Sequence, residues 1–271
     1  MRIIALFFLA VTGSIIGSFV GALTWRVHKK MNFVSDRSEC EHCHHKLAPT
    51  DLLPIISWLC LKGRCRYCRK KIGSLSLWLE ISVAIVFVAS YIFWPLGQVE
   101  ASALQAVTFA LWLVAVTSMA ALFVYDLRWG FLPNKFMLPL AIVAALISIL
   151  NNIFIHEIPL QNYMIDTLLA MIPVAGIYGA IYILSNKKCI GGGDVKFGII
   201  VGLLLSWQGA LAVLFISNVL GSLVMLPLLL AKKVRIESQI PFGPFLIFAT
   251  FAIFLIHPQV LNFIDTYLLL G

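Results

Sequence analysis

Of the 271 residues, 61% are hydrophobic and only 12% are charged, and the mean hydropathy is +0.97. A water-soluble globular domain is nearer half apolar and a quarter charged, so this composition excludes that class. The formal net charge of +8 comes from 20 Lys and Arg against 12 Asp and Glu, and its distribution along the chain speaks for membrane topology rather than for a nucleic-acid partner.

Long apolar runs between short polar loops predict an all-α polytopic membrane protein with about eight transmembrane helices. The first run covers 3–25. A single basic residue, Arg2, precedes it and no small-x-small cleavage site precedes the basic loop, so it reads as a retained span rather than a signal peptide. A polar insert follows, and further spans are expected near 75–94, 102–125, 136–155, 164–185, 195–207, 209–231 and 243–257. The thirteen-residue segment 195–207 is short. It would rise about 20 Å against a hydrocarbon core of about 30 Å, as a half-span or as a tilted helix that thins the bilayer locally. The expected division is a first transmembrane helix (1–25), a cytoplasmic insert (26–74) and a membrane core (75–271).

Charge sets the orientation. Eleven of the twenty Lys and Arg lie in residues 26–71, and eight more are Arg128, Lys135, Lys187, Lys188, Lys196, Lys232, Lys233 and Arg235. Eight spans place all nineteen on one face, which the positive-inside rule makes cytoplasmic. The other loops carry Glu100, His156 and Glu157 and no Lys or Arg. The cationic face is also suited to anionic lipid headgroups.

Residues 26–74 contain "CEHC" (Cys40, Cys43) and "CRYC" (Cys65, Cys68), with twenty-one residues between the pairs. Each knuckle can present two thiolates, and two knuckles close a tetrahedral four-sulfur site for structural zinc. A reducing compartment disfavours disulfides. The alternatives are two unrelated thiol pairs or a redox pair. An insert this small has too few apolar residues for a core, and a metal substitutes for one. His42, His44 and His45 are competing ligands. Cys60, in "SWLCLKG", is expected to pack as a small hydrophobe, and Cys189 to be a bystander.

Two aspartates approach the same membrane depth. The span ending "LFVYDLRWGFLPN" delivers Asp126 to the cytoplasmic interface, and the segment opening "GGGD" starts Asp194 from it. Two carboxylates in a poorly solvated place share one proton, as in an aspartic protease. One then activates water while the other protonates the leaving amine. Gly191 and Gly193 let the loop approach an extended substrate. The alternative for each aspartate is an interfacial cap. "PFGP" at 241–244 either terminates a helix or, through Pro241 and Gly243, offers irregular backbone to a substrate. Glu80, a turn inside the second span, either pairs with the basic loop or lines a cavity. Asp166 and Asp265 read as solvated or capping groups near the outer interface.

Five stretches in order resemble the type 4 prepilin peptidases, also called prepilin leader peptidases/N-methyltransferases. They are "GSFVGALTWR" (17–26), the two-knuckle stretch 40–68, "YDLRWGFLPN" (125–134), "GGGDVK" (191–196) and "PFGPF" (241–245). The resemblance implies a Gly-x-Gly-Asp aspartic membrane peptidase in the bacterial inner (plasma) membrane. Its partners would be prepilins or pseudopilins, cut at the cytoplasmic face before an apolar N-terminal helix, with Asp126 and Asp194 in the catalytic roles. Many members then methylate the new N-terminus with S-adenosylmethionine. The chain departs from the family pattern at Gly21, where Asn is usual, and at Ser76-Leu77, where Tyr-Pro is usual. Both departures bear on methylation more than on cleavage. A transporter or scaffold with a zinc-stabilised insert is the competing class, but it would place polar groups near the bilayer midplane, where these spans offer few.

Overall fold

The computed structural model describes residues 2–31, 38–40, 42–96, 98–99, 102–155, 157–188, 190–231 and 241–264. Glu100, His156, Cys189, Lys232, Lys233, Arg235, Glu237 and Asp265 lie outside the described residues. By compactness the chain divides after Ile92, into Met1–Ile92 and Phe93–Gly271.

The first unit comprises α1 (Arg2–His28), the short α2 (Ile56–Cys60) and α3 (Leu75–Ile92). Gly13 and Gly17 set the packing of α1 on α3. A Cβ at Gly17 would lie 2.6 Å from the Leu79 carbonyl oxygen, and one at Gly13 would lie 2.7 Å from Ala84 Cα. Such backbone-to-backbone approach is the small-residue packing used in lipid, where no hydrophobic force drives helices together.

The second unit comprises α4 (Ala103–Trp129), α5 (Asn134–Ile149), α6 (Leu160–Met171), α7 (Ile177–Leu184), α8 (Gly192–Leu204), α9 (Trp207–Leu230), α10 (Gly243–Leu255) and α11 (His257–Ile264). Among the described residues, six stretches are long and apolar enough to cross a bilayer: Arg2–His28, Leu75–Ile92, Ala103–Trp129, Asn134–Ile155, Leu160–Leu184 and Trp207–Leu230. The expected eight therefore separate into six of full length and two helices of 13 residues, α8 and α10.

α4 is the most enclosed of the long helices. Trp112 is fully buried and stacks on Phe254 of α10 at 3.7 Å, with ring planes 12° apart. α8 has only 13 residues, yet Phe197, Gly198, Ile200, Val201 and Gly202 are all buried. It packs against α5, α6, α7 and α10, so protein covers most of its surface and leaves Ile199 exposed. That enclosure explains how a helix too short for the hydrocarbon core is accommodated. The path from α6 to α7 passes through a π-helical turn, Ile172–Gly176, beginning around Pro173, which has no amide to donate. α8 fits against this wide turn through two glycines. A Cβ at Gly198 would lie 2.6 Å from the Ala175 nitrogen, and one at Gly202 would lie 2.8 Å from Met171 Cα.

Candidate active site and metal centre

Asp126 sits in the last turn of α4. The helix stops at Gly130, whose φ of +70° is open to glycine and strained for other residues, and the Gly130 amide caps the Asp126 carbonyl at 2.8 Å. The chain then turns through Phe131, Leu132 and Pro133 into α5. Asp194 lies in the first turn of α8, three residues after Gly191, and its carboxylate reaches back to the Gly191 backbone. Gly243 opens α10.

These three starts and stops meet at Leu132. A Cβ on Gly193 would lie 3.0 Å from Leu132 Cβ. A Cβ on Gly243 would lie 3.2 Å from Leu132 Cδ2 and 2.7 Å from Asp126 Oδ2. The two glycines thus flank one leucine side chain, and the backbone of α10 presses on the Asp126 carboxylate. The Asp126 and Asp194 carboxylates lie within electrostatic range of each other. Asp126 is 4% exposed, and its Oδ2 is buried with no hydrogen-bond partner. An unpartnered buried carboxylate oxygen is costly unless a proton, a water or a substrate completes it.

The structure thus gathers Asp126, Asp194, Gly191, Gly193 and Gly243 in one place, with Pro241 two residues before Gly243. Gly191 is exposed, whereas Gly243 is buried. Other residues stand around them, Leu132, Asn134 and Lys196 from within the quoted stretches and Tyr178, Tyr182 and Asn218 from outside them. Leu132 is the wedge described above. Asn134 accepts a hydrogen bond from Lys196 Nζ at 3.1 Å, which ties the start of α5 to α8. Tyr182 Oη would be 3.4 Å from a Cβ on Gly192. Tyr178 is buried, interacts electrostatically with Asp194, and accepts a hydrogen bond from Asn218 Nδ2 at 2.8 Å. Tyr178 and Tyr182 stand four apart in an otherwise apolar run, so one helix face carries both, and that spacing was a readable signal.

The insert builds two knuckles of the same design. In the first, the Cys40 amide donates to the His45 carbonyl (3.0 Å) and the His44 amide to the Cys40 carbonyl (2.9 Å). In the second, the Cys65 amide donates to the Lys70 carbonyl (2.9 Å) and the Arg69 amide to the Cys65 carbonyl (3.0 Å). His44 and Arg69 occupy matching left-handed positions, at φ 54° and 61°. The sulfurs of Cys40, Cys43, Cys65 and Cys68 all lie within 4.8 Å of one another, and Cys40 Sγ is 3.9 Å from Cys68 Sγ. A tetrahedral ion with metal–sulfur bonds of about 2.3 Å needs sulfurs about 3.8 Å apart, so the four can hold a metal ion.

Burial opposes ionisation of Cys40, but the His42 and Cys43 amides and hydrogen bonds from Cys65 and Cys43 outweigh it, bringing that thiol down to about 7. The His45 amide favours the Cys43 thiolate, yet desolvation and the Cys40 and Cys68 sulfurs push this thiol up to about 11. A cation bound by the four sulfurs would displace their protons, so metal binding here would depend on pH.

Asp51 links the knuckles to the linker between them. Its carboxylate takes Arg66 Nε at 2.6 Å, the Tyr67 hydroxyl at 3.3 Å and the Ala48 amide at 3.2 Å. Tyr67 in turn faces His45 of the other knuckle, with ring centroids 3.7 Å apart. Glu80 is buried in α3 and accepts the Ile55 amide at 2.6 Å. Ile55 has φ 62°, strained for a β-branched residue, so Glu80 anchors the bend that starts α2. Cys60 is exposed on α2, which corrects the expectation that it packs as a hydrophobe; a helix of only 5 residues leaves it facing outward. Asp166 is exposed, in line with a solvated group.

A profile of the bacterial peptidase A24 N-terminal domain matches residues 11–94, and one of the type IV leader peptidase family matches residues 113–226. The chain is 30% identical over 218 residues to a prepilin leader peptidase/N-methyltransferase of Aeromonas hydrophila, covering 80% of this chain and 71% of that protein. It is 25% identical over 262 residues to the protein of that name in Pseudomonas putida, covering 88% and 86%. A type 4 prepilin-like proteins leader peptide-processing enzyme of Escherichia coli O78:H11 is 28% identical over 257 residues, covering 86% and 87%. No solved structure matches the chain. Identity at this level over most of both chains, with both halves matched by their own profiles in the same order, means that the chain belongs to the type IV leader peptidase family, the prepilin peptidases.

Proposed function

We infer that the protein is an aspartic endopeptidase of the membrane that removes the leader from type 4 prepilins or pseudopilins. Family membership supports the reaction, and one geometric observation supports the assignment of residues. Asp126 and Asp194, from distant parts of the chain, come within electrostatic range, and Asp126 Oδ2 is buried and unpartnered. Two such carboxyls hold one proton between them. One takes a proton from the attacking water. The other donates its proton to the scissile carbonyl oxygen as the tetrahedral intermediate forms, and the leaving amine is protonated as the intermediate collapses. Tyr178, fixed by Asn218, lies within electrostatic range of Asp194, and its part on this reading is to position rather than to react. Gly191 and Gly193, with Pro241 and Gly243, offer backbone to an extended substrate.

The site lies at the ends of α4, α8 and α10 nearest Arg128, Lys135 and Lys196, so the positive-inside rule supports cleavage on the cytoplasmic side of the inner membrane. On this reading α8 and α10 complete eight crossings, and residues 26–74 form a cytoplasmic insert between the first two, followed by the peptidase core at 75–271. Cys40, Cys43, Cys65 and Cys68 fit zinc, which would supply folding energy to the insert and no chemistry to cleavage. The names of the relatives also carry N-methyltransferase. The cleavage reading needs no methyl donor, and no residue is assigned to S-adenosylmethionine.

Co-expression with a prepilin, followed by mass spectrometry of the new N-terminus, tests the reading and reports cleavage position and methylation together. Asp126→Asn and Asp194→Asn should each leave the prepilin uncut while the enzyme accumulates in the membrane. Normal maturation in either variant would overturn the assignment.

A further inference from the structure

α9 carries an open apolar groove on its outward face, with a volume of about 410 Å³, lined by Phe215, Asn218, Val219, Ser222, Leu223 and Leu226. An apolar face by itself only says lipid. Three observations give this one an occupant. The groove connects to the aspartates by two chains of contacts, each through intermediate residues. Asn218 on its floor donates to Tyr178, which interacts with Asp194. Gly221, one position from Ser222, meets Phe242 at 3.4 Å from its would-be Cβ, and Phe242 adjoins the Gly243 that presses on Asp126. The groove also breaks the rule for a lipid face, because an exposed asparagine stands in it. Both amide hydrogens of Asn218 are spent, on Tyr178 Oη at 2.8 Å and the Leu214 carbonyl at 2.7 Å, which leaves Oδ1 as an acceptor. Finally, the contact of Gly221 with Phe242 puts this stretch of α9 toward the aspartate end of the bundle, whereas its start, Ser206, pairs with His257 at the opposite end.

A bond between a polar leader and an apolar helix can be cut only if the helix stays in lipid while the bond reaches the carboxyls. The docking surface must then be apolar, lipid-facing and adjacent to the site. We propose that the α9 groove seats the apolar helix of the leader-bearing substrate, which enters sideways from the bilayer and brings one hydrogen-bond donor to Asn218 Oδ1. This rests on the function proposed above.

The test places the photocrosslinker p-benzoylphenylalanine at Leu223, in an Asp126→Asn background that keeps the substrate uncut, with a prepilin co-embedded. Leu138 of α5, 64% exposed against 65% for Leu223, is the matched control. A prepilin adduct at Leu223 and none at Leu138 supports the groove. Adducts at Leu223 with lipid alone or with a second copy of the chain, or equal prepilin adducts at both positions, overturn it. A second arm needs no crosslinker. Ser222→Phe, which fills the groove, should raise KM for intact prepilin about ten-fold more than for a soluble peptide spanning only the leader and the cleavage point. Equal changes for the two substrates would mean a merely distorted enzyme and overturn the groove. A wild-type enzyme that cuts neither substrate would overturn the proposed function itself, and the groove with it. A wild-type enzyme that cuts both but gives no adduct at Leu223 would overturn the groove alone.

Discussion

The four sulfurs come from two stretches of four residues each, while the two carboxylates come from helix ends separated by three whole helices, α5, α6 and α7. In the insert, local spacing carries the geometry: each Cys-x-x-Cys turn closes through its own backbone hydrogen bonds, and the two turns repeat one design. In the membrane site nothing local carries it. Asp126 and Asp194 meet because α4, α8 and α10 are brought to one leucine by glycines that admit close approach. A metal site can therefore be read from a short string of letters. A membrane active site is read from which ends of which spans share a face.

The sharpest way to break that contrast is at the carboxyls. Asp126→Asn or Asp194→Asn removes the shared proton and should lower cleavage by about 10³-fold or more in a membrane-vesicle assay, since one positioned acid–base group is worth about 10²–10⁴-fold. Gly243→Ala tests whether the long-range packing matters as much as the acids. Its Cβ would fall 2.7 Å from Asp126 Oδ2, so the carboxylate must move. Cleavage should fall about ten- to a hundred-fold at normal abundance, since a misplacement of about 1 Å costs about 10²-fold. An unchanged rate would mean that the α10 contact does not position Asp126.

The same logic predicts the opposite pattern in the insert. Cys40→Ser should strip most of the bound metal from purified protein and lower its accumulation, while cleavage per surviving molecule stays within about two-fold of wild type. Full metal content in that variant would refute the four-cysteine centre. The smallest effect is expected at Lys196→Ala. Its exposed hydrogen bond to Asn134 is a surface contact, so the rate should stay within about two-fold. A dead variant of normal abundance would give Lys196 a role in the chemistry.

Much of this was legible in the letters. Hydropathy marked every long helix, because a bilayer demands apolar length. It also flagged α8 as short without saying why that is tolerated, since the reason lies in the helices around it. Charge placed Asp126 and Asp194 at one depth, because loops keep their cations on one side. Other features had no local signature. Leu132 looks like any leucine until two glycines close on it. The π turn at Ile172–Gly176 arises around Pro173, which read only as part of a span. Glu80 stands out as a carboxylate inside an apolar span, but its partner is the main chain of Ile55, which no side-chain pattern announces. Cys60 has apolar neighbours in sequence, but these do not enclose a residue on a helix of 5 residues.

The wedge at Leu132 also bears on how the enzyme should behave in different membranes. The starts of α8 and α10 both close on one isobutyl group, that of Leu132, through Gly193 and Gly243. Turnover should accordingly change little when vesicles are made from shorter or longer acyl chains, even though the long helices must tilt to follow. A steep dependence on acyl length would show that the bilayer, and not the leucine, keeps the acids in register.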